Sequence, residues 1–346
     1  MTFKYNNVYV NNTATVVGPY EKKGPLSSFF DKGYNDLYNG AKTWEQAESK
    51  LLEESVDILL AKEKRTKESI DLLIAGDLLN QITSSSYGLQ KYNLPFLGIY
   101  GACSTSVEGI LIASNFIEAG QVKTCITSVS SHNMSSEKQF RNPTEYGAPK
   151  PKTSTFTSTG GASVLLSNTK SKIKVESATI GKISDMGITD PFNMGAVMAP
   201  AAADTIYQHL KDTNRTPDYY DLILTGDLGM YGKEILIDYM HQEYNLDISN
   251  NYDDCGTMLY DLKEQKEVMS GGSGPVCSAL VNYSYIFKKI EKGELKKVLF
   301  VATGALFSPT LVYQKQNILS TAHAVSLEMG KWYTYILSSS QEEFVY

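Results

Sequence analysis

Two kinds of apolar pattern alternate along the chain. Short, nearly continuous runs, such as those in DLLIAGDLL (Asp71–Leu79) and DLILTGDLG (Asp221–Gly229), end on Gly-Asp. They predict buried strands that close in a turn. Longer stretches place apolar residues at helical spacing. Thr43–Lys62 carries Trp44, Ala47, Leu51, Val56, Ile58 and Leu59 with charges between, and predicts an amphipathic helix. MAPAAADTIYQHL, Met198–Leu210, predicts another, with its proline in the first turn. GGASVLLS, Gly160–Ser167, reads as a strand entered through a tight glycine turn.

The two Gly-Asp strands are landmarks of a repeat. They share the frame D-L-x-x-x-G-D-L at an offset of 150, from Asp71 to Asp221. A second pair follows in the same order. GACSTSVEGILIASNFIEAGQVKTCITSVS begins at Gly101, and GPVCSALVNYSYIFKKIEKGELKKVLFVAT begins at Gly274, an offset of 173. Both read glycine, small residues, a helical stretch, E-x-G and a β-rich run. The larger offset means that the second copy carries extra sequence between its landmarks. Apolar strands alternating with helices argue for mostly parallel sheets covered on both faces. The expected organisation is a tandem duplication with halves 1–170 and 171–329, joined near SNTKSK (Ser167–Lys172), and a tail, 330–346, without a repeat partner. The strands at 71–76 and 221–226 are expected side by side at the centre.

Composition narrows the function. Hydrophobic residues make up 42% and charged residues 20%, as in an ordinary globular protein. A net charge of -6 gives no basic face for nucleic acid. No apolar run approaches the ~20 residues of a spanning helix, so any membrane association is expected to be peripheral. Residues 1–20 show neither the basic start nor the apolar run of a secretory signal. Cys103, Cys125, Cys255 and Cys277 are scattered without a CxxC pair, which predicts free thiols and no zinc site. No phosphate-binding GxxxxGK[ST] loop and no GxGxxG fingerprint occurs, and SDMGITDPFNMG lacks EF-hand spacing. No metal or cofactor is expected. The SDMGITDPFNMG segment reads as a loop over the site or a subunit contact.

The candidate chemistry centres on Cys103, in GIYGACSTS between a strand-like run and a helix. The helix dipole and free N–H groups there favour thiolate. Gly101, Ala102, Ser104 and Thr105 permit a sharp turn and a close ligand approach. A cysteine among small residues is also commonly a buried structural thiol. Of the four histidines, His132 follows the strand CITSVSS, where ligands of α/β sheets gather. His209 and His241 read as surface or cap residues, and His323 as a core or site histidine. The stretch Ser130–Tyr146 offers Ser130, Ser131, His132, Lys138 and Arg141. Arg141 supplies the fork that holds a carboxylate. It can equally pair with Glu137 at i,i+4.

A duplicated α/β chain with a Gly-Ala-Cys-Ser/Thr turn opening a buried helix resembles the thiolase and ketoacyl-synthase superfamily. That resemblance implies a five-layered α-β-α-β-α sandwich, a homodimer, and a nucleophile at Cys103. GDLLNQ, GACSTS, SSHN, EKQFRNPTEYG, SDMGITDPFNMG, MAPAAADTI, DLILTGDL, DDCG, GGSG and VATGALFSPT together resemble the stage V sporulation protein AD family of spore-forming Firmicutes. The likeness extends over nearly the whole chain except the tail. It implies binding of pyridine-2,6-dicarboxylic acid (dipicolinic acid), free or as its calcium chelate, together with other stage V sporulation membrane proteins, at the cytoplasmic side of the spore inner membrane. Where the superfamily keeps its second-half histidine, this chain has Gly226 or Asp227; where the superfamily keeps asparagine, it has Gly272 and Ser273. These departures imply a non-catalytic binding protein. The expected ligand contacts are Cys103, Ser104, Ser131, His132, Arg141 and Asp227, with Asp227 the poorest fit to a dianion. Two alternatives remain: an acyltransferase using Cys103 with His132 or His323 as base, and a structural scaffold with a vestigial pocket.

Overall fold

The computed structural model describes residues 1–140 and 149–330. Arg141 and the tail 331–346 lie outside the described residues. In chain order the first half comprises β1 (Thr2–Lys4), β2 (Tyr9–Val17), β3 (Lys32–Gly33), α1 (Trp44–Lys62), β4 (Leu72–Gly76), α2 (Thr83–Leu89), β5 (Phe96–Gly98), α3 (Thr105–Glu118), β6 (Thr124–Ser131), α4 (Asn133–Phe140), β7 (Phe156–Thr157) and β8 (Gly160–Ser167). The second half comprises β9 (Ile173–Ile180), α5 (Met194–Thr213), β10 (Leu222–Thr225), α6 (Gly229–Tyr244), β11 (Tyr252–Asp254), α7 (Cys255–Met258), β12 (Gly272–Ser273), α8 (Pro275–Val281), α9 (Phe287–Glu291), β13 (Lys297–Leu306), α10 (Pro309–Tyr313) and β14 (Leu319–Met329).

The duplication is visible strand by strand. The main path of the large sheet runs β11-β10-β13-β14-β9-β2-β8-β6-β4-β5. Read outward from the β9–β2 junction, the two halves have the same order. Four strands of each half run one way, and β8 or β14 runs against them. The extra sequence of the second copy lies in a longer α6 and in the excursion 255–274. The repeated strands β4 and β10 are equivalent but not adjacent, contrary to the sequence expectation. Both edges of β4 are already taken by the parallel strands β5 and β6, so none is left for its copy. The central pair is β2 with β9, short and antiparallel.

The layers form a five-layered α-β-α-β-α sandwich. One apolar cluster joins Leu52, Val56 and Leu59 of α1 to Leu73 and Ile126 of the sheet. A second joins Val197, Met198 and Ile206 of α5 to Ile223, Leu299 and Val301. The largest holds α3 and the α8–α9 segment between the two half-sheets. This middle helix layer carries the functional site.

Local signals explain most boundaries. Thr43 caps α1, its side chain accepting from Gln46 N at 3.2 Å. α5 begins at Met194, earlier than the spacing suggested, so Pro200 sits inside the helix and not in its first turn. The glycine pair of GGASV is not a turn. Gly160 and Gly161 lie within β8 itself. A Cβ at Gly161 would lie 2.3 Å from the carbonyl oxygen of Leu51, so close packing of α1 on the sheet requires glycine. Gly161→Ala should therefore destabilise the protein by about 1–3 kcal/mol, the range for overpacking, read as a lower urea midpoint. An unchanged midpoint would show that α1 can move away at no cost.

Candidate functional site

β5 feeds a one-turn segment, Ala102–Ser104, that opens α3. Ala102 has φ +51°, the left-handed region that a residue with a Cβ occupies only when its surroundings impose it. Four hydrogen bonds do so. Gly101 O accepts from Ser104 N at 3.0 Å and from Ser104 Oγ at 2.6 Å. Thr105 Oγ1 donates to Ala102 O at 2.6 Å and accepts from Gly101 N at 3.0 Å. The turn aims Cys103 at the opposite half of the molecule.

Cys103 Sγ lies 3.8 Å from Ser273 Oγ on β12. Ser273 Oγ donates to Asp227 Oδ2 at 3.1 Å, and Gly274 N donates to the same oxygen at 3.2 Å. Thr303 Oγ1, on β13, donates to Asp227 Oδ1 at 2.6 Å. Asp227 is thus the fully enclosed hub of a polar line, Cys103–Ser273–Asp227–Thr303. Above it sits a narrow cavity of about 50 Å³, room for a few waters. Cys103, Ser273, Thr157 and Ser136 give it a polar side; Leu78, Met194, Met198, Phe140 and Phe307 give it an apolar one. Phe140 and Phe307 face each other with ring centroids 5.9 Å apart. No cationic side chain lines the cavity among the described residues. The SDMGITDPFNMG segment runs into Met194 and is tied to the loop before β14, with Asn317 Nδ2 donating to Asp185 Oδ2 at 3.2 Å.

The electrostatics reverse one expectation. The Cys103 thiol is not acidified: its pKa is raised well above the ordinary value, first by burial and then by the Asp227 charge. Hydrogen bonding from Ser273 and Gly274 opposes this only in part. Cys103 keeps a partial opening through the cavity, but protein surrounds the sulfur closely enough for desolvation to outweigh the helix dipole. Burial also raises Asp227, against the hydrogen bonds it receives.

The remaining sequence candidates fall elsewhere. Ser104 is fully buried and holds the turn through Gly101 O. Ser131 Oγ donates to Ser158 O at 2.7 Å, behind β7. His132 Nε2 donates to Leu37 O at 2.8 Å, while Nδ1 accepts from Met134 N at 3.2 Å. Burial lowers its pKa to about 4, so the ring is neutral, with both nitrogens engaged away from the cavity. His209, expected at the surface, is buried between Thr179 and Tyr220. His323 Nδ1 accepts from Gly181 N at 3.2 Å. Of the proposed contacts, Cys103 and Asp227 come together in one polar line, and Arg141 lies outside the described residues. Thr303 and the apolar wall were missed. Thr303 had a signal, since it closes the second copy of the long repeat. Met194, Met198 and Phe307 had none, because facing a cavity and facing a core look alike in sequence.

Fold and cysteine turn together define a thiolase-like protein. Solved structures share the architecture. The 3-oxoacyl-[acyl-carrier-protein] synthase III of Aquifex aeolicus superposes with a TM-score of 0.55 at 11% identity, over 93% of this chain and 99% of that one. Cerulenin-bound OleA of Xanthomonas campestris gives 0.60 at 13% identity, over 94% and 100%. At such identities the likeness is one of fold. The sequence itself is more specific. The model of the stage V sporulation protein AD family matches residues 1–328. Stage V sporulation protein AD of Bacillus subtilis (strain 168) is 50% identical over 321 residues, 93% of this chain and 94% of that protein. The chain belongs to the stage V sporulation protein AD family, and hence to the proteins of sporulation.

Two predictions follow from the charges. If Asp227 holds the thiol neutral, Asp227→Asn should lower the Cys103 pKa, seen as faster alkylation of Cys103 near neutral pH; an unchanged pH–rate profile would assign the shift to burial alone. The second concerns stability. Glu21, Glu48 and Asp254 are fully buried, with pKa raised by burial to about 7, about 8 and about 7. Each binds its proton more tightly folded than unfolded, so its stabilising effect is complete at acid pH and is lost as pH rises through those values. The buried His132 and His209 and the partly buried His323, each lowered by desolvation to about 4, act oppositely, but only below about pH 6.5. Between about pH 6.5 and about pH 8 the carboxyls dominate. The urea midpoint should fall across that window, and less steeply in Glu48→Gln.

Proposed function

We propose that this chain is a non-catalytic small-molecule binding protein, taking dipicolinate, free or calcium-chelated, into the cavity beside Cys103. Its role is uptake into or release from spores, within a membrane assembly of stage V sporulation proteins. The observation that carries the non-catalytic reading is Asp227 beside a neutral Cys103. Condensation needs a thiolate, and donors that stabilise an enolate. A buried carboxylate and an acceptor-engaged serine offer the opposite field. The family supports the sporulation role. Among the described residues no helix is long and apolar enough to cross a membrane; attachment at the cytoplasmic side of the spore inner membrane belongs to the proposal and is peripheral in it.

Dipicolinate is a flat ring with two carboxylates, and the aromatic pair Phe140 and Phe307 of the cavity wall suits the ring. Phe140 and Phe307 flank the ring on entry and must part to admit it. Arg141 follows Phe140 directly in the sequence and is the proposed carboxylate fork. Cys103 contributes a neutral S–H, with Ser104 and Ser131 shaping the turn and floor behind it. His132 acts only as a brace for α4. Asp227 is compatible with a dianion when it holds its proton or shares a calcium ion.

Titration calorimetry with dipicolinate tests the reading. Arg141→Ala should weaken binding by about 1.5–3 kcal/mol, the size of a lost charge-assisted hydrogen bond. Cys103→Ala should cost less, and a pyridine with one carboxylate should bind poorly. Acyl-CoA or malonyl-ACP should leave Cys103 unacylated. Sustained turnover of either would instead establish the acyltransferase. Absence of any heat with dipicolinate would leave the scaffold reading.

A further inference from the structure

Behind the cavity floor lies a second buried polar unit, built from both halves of the molecule. Glu21 is fully buried near the start of the chain, and Tyr260, also buried, comes from the excursion 255–274 that only the second copy carries. The Tyr260 hydroxyl donates to Glu21 Oε1, and Thr159 N donates to the same oxygen at 2.9 Å. The Tyr260 hydroxyl also lies 3.0 Å from Ser158 Oγ. Phe156 packs edge-on against Tyr260, with ring centroids 5.8 Å apart. Glu21 Oε2 has no hydrogen-bond partner among the described residues. A Cβ on Gly18 would come within 3.0 Å of it. The second carboxyl oxygen therefore lies against Gly18, where any side chain would crowd it.

What these groups grip is the segment 156–159. That segment begins with β7, which pairs in parallel with β12, Phe156 opposite Gly272 and Thr157 opposite Ser273. Phe156 N donates to Gly271 O and Ser158 N to Ser273 O, both at 2.8 Å. This ladder is only two residues long on each strand and is separate from the main sheet, so it has little cooperativity of its own. Yet it carries Thr157 and Ser273, which line the cavity, and Ser273 is the residue facing Cys103. A weak ladder that places a site residue needs external restraints: Ser131 Oγ on Ser158 O, Gly18 N on Thr159 O and Asn133 N on Thr159 Oγ1 hold the segment after it, and Glu21 with Tyr260 adds the restraint that joins both halves of the molecule.

We propose that Glu21 is a positioning residue of the pocket: with Tyr260 it clamps the β7–β12 ladder and thereby holds Thr157 and Ser273 against Cys103. The consequence for ligand binding rests on the proposed ligand site; the clamp itself does not. The full-length protein tests it without ligand. The rate of Cys103 alkylation by iodoacetamide, read by mass spectrometry of its peptide, reports how tightly Ser273 covers the sulfur, and the melting temperature reports global stability. Glu21→Ala and Tyr260→Phe should each accelerate alkylation about tenfold, the equivalent of one lost buried hydrogen bond. Glu21→Gln keeps an acceptor for Tyr260 and Thr159 and should restore the wild-type rate. A folded Glu21→Ala with lowered melting temperature but unchanged alkylation would make Glu21 merely structural and overturn the proposal. So would Glu21→Gln reacting as fast as Glu21→Ala. Should Glu21→Ala not fold, Tyr260→Phe, which keeps the ring and loses one hydroxyl, decides: an unchanged rate overturns the clamp. Dipicolinate titration of the same proteins separates the two ideas. Altered alkylation in variants of a protein that never binds dipicolinate would sink the ligand reading and leave the clamp standing.

Discussion

The buried carboxylate of Asp227 is the constraint around which the site is organised. A carboxyl group taken out of water must be surrounded by donors or keep its proton. Here the donors come from two separate segments: Ser273 and Gly274 where β12 leads into α8, and Thr303 on β13. Satisfying one side chain therefore fixes β10, β13 and the α8 terminus relative to one another. Cys103 arrives from the other half and inherits the field so created. The same desolvation that raises Asp227 raises the thiol. A neutral, weakly nucleophilic sulfur is the chemical outcome of that packing.

The two halves share one strand order, and equivalent positions have diverged beside the site. Asp77 and Asp227 occupy the same place in the two copies of the Gly-Asp frame. Asp77 accepts from Leu79 N, Ser85 N and Ser85 Oγ, and so caps the start of α2 beside the buried Glu48. Its copy faces across the molecule toward Cys103. The aspartates that open the same two frames behave differently. Asp71 accepts from Lys123 N and Thr124 N, and Asp221 accepts from Lys296 N and Lys297 N. These two aspartates do the same structural work in both halves, tying the start of one strand to the next. Repeat-equivalent residues remained alike away from the site and parted company beside it.

Hydroxyl groups hold much of this interior together. Ser55, Ser128 and Ser163 form one buried chain across α1, β6 and β8, and Ser106 meets Ser278 where α3 and α8 touch at the centre. Small side chains allow helices and strands to approach closely, and their hydroxyls pair with one another or with backbone, so no charge is needed. Buried acids such as Glu21, Asp77, Asp227 and Asp254 lie where strands give way to turns or loops, while Glu48 lies within α1. Burial raises the pKa of each of these groups, against the hydrogen bonds they accept.

Much of the architecture was determined by the sequence alone. The alternation of strand and helix patterns, the two ordered repeats and the Gly-Ala-Cys-Ser turn specify a duplicated thiolase-like sandwich, because periodicity and turn chemistry are local properties. The departures at Asp227 and Ser273 from the condensing-enzyme pattern were legible for the same reason. Tertiary structure decided the rest. The dyad falls between β2 and β9, not between the repeated strands, because pairing edges are allotted by the whole sheet. His132, although it follows a strand end, is neutral because burial disfavours its charge, and braced because a distant loop brings the Leu37 carbonyl to accept from Nε2. Gly160 and Gly161 serve the approach of α1 and not a turn, which only the position of Leu51 reveals. The thiol at Cys103 is raised and not lowered, since a helix terminus is visible in sequence while the desolvating walls around it are assembled from residues nearly two hundred positions apart.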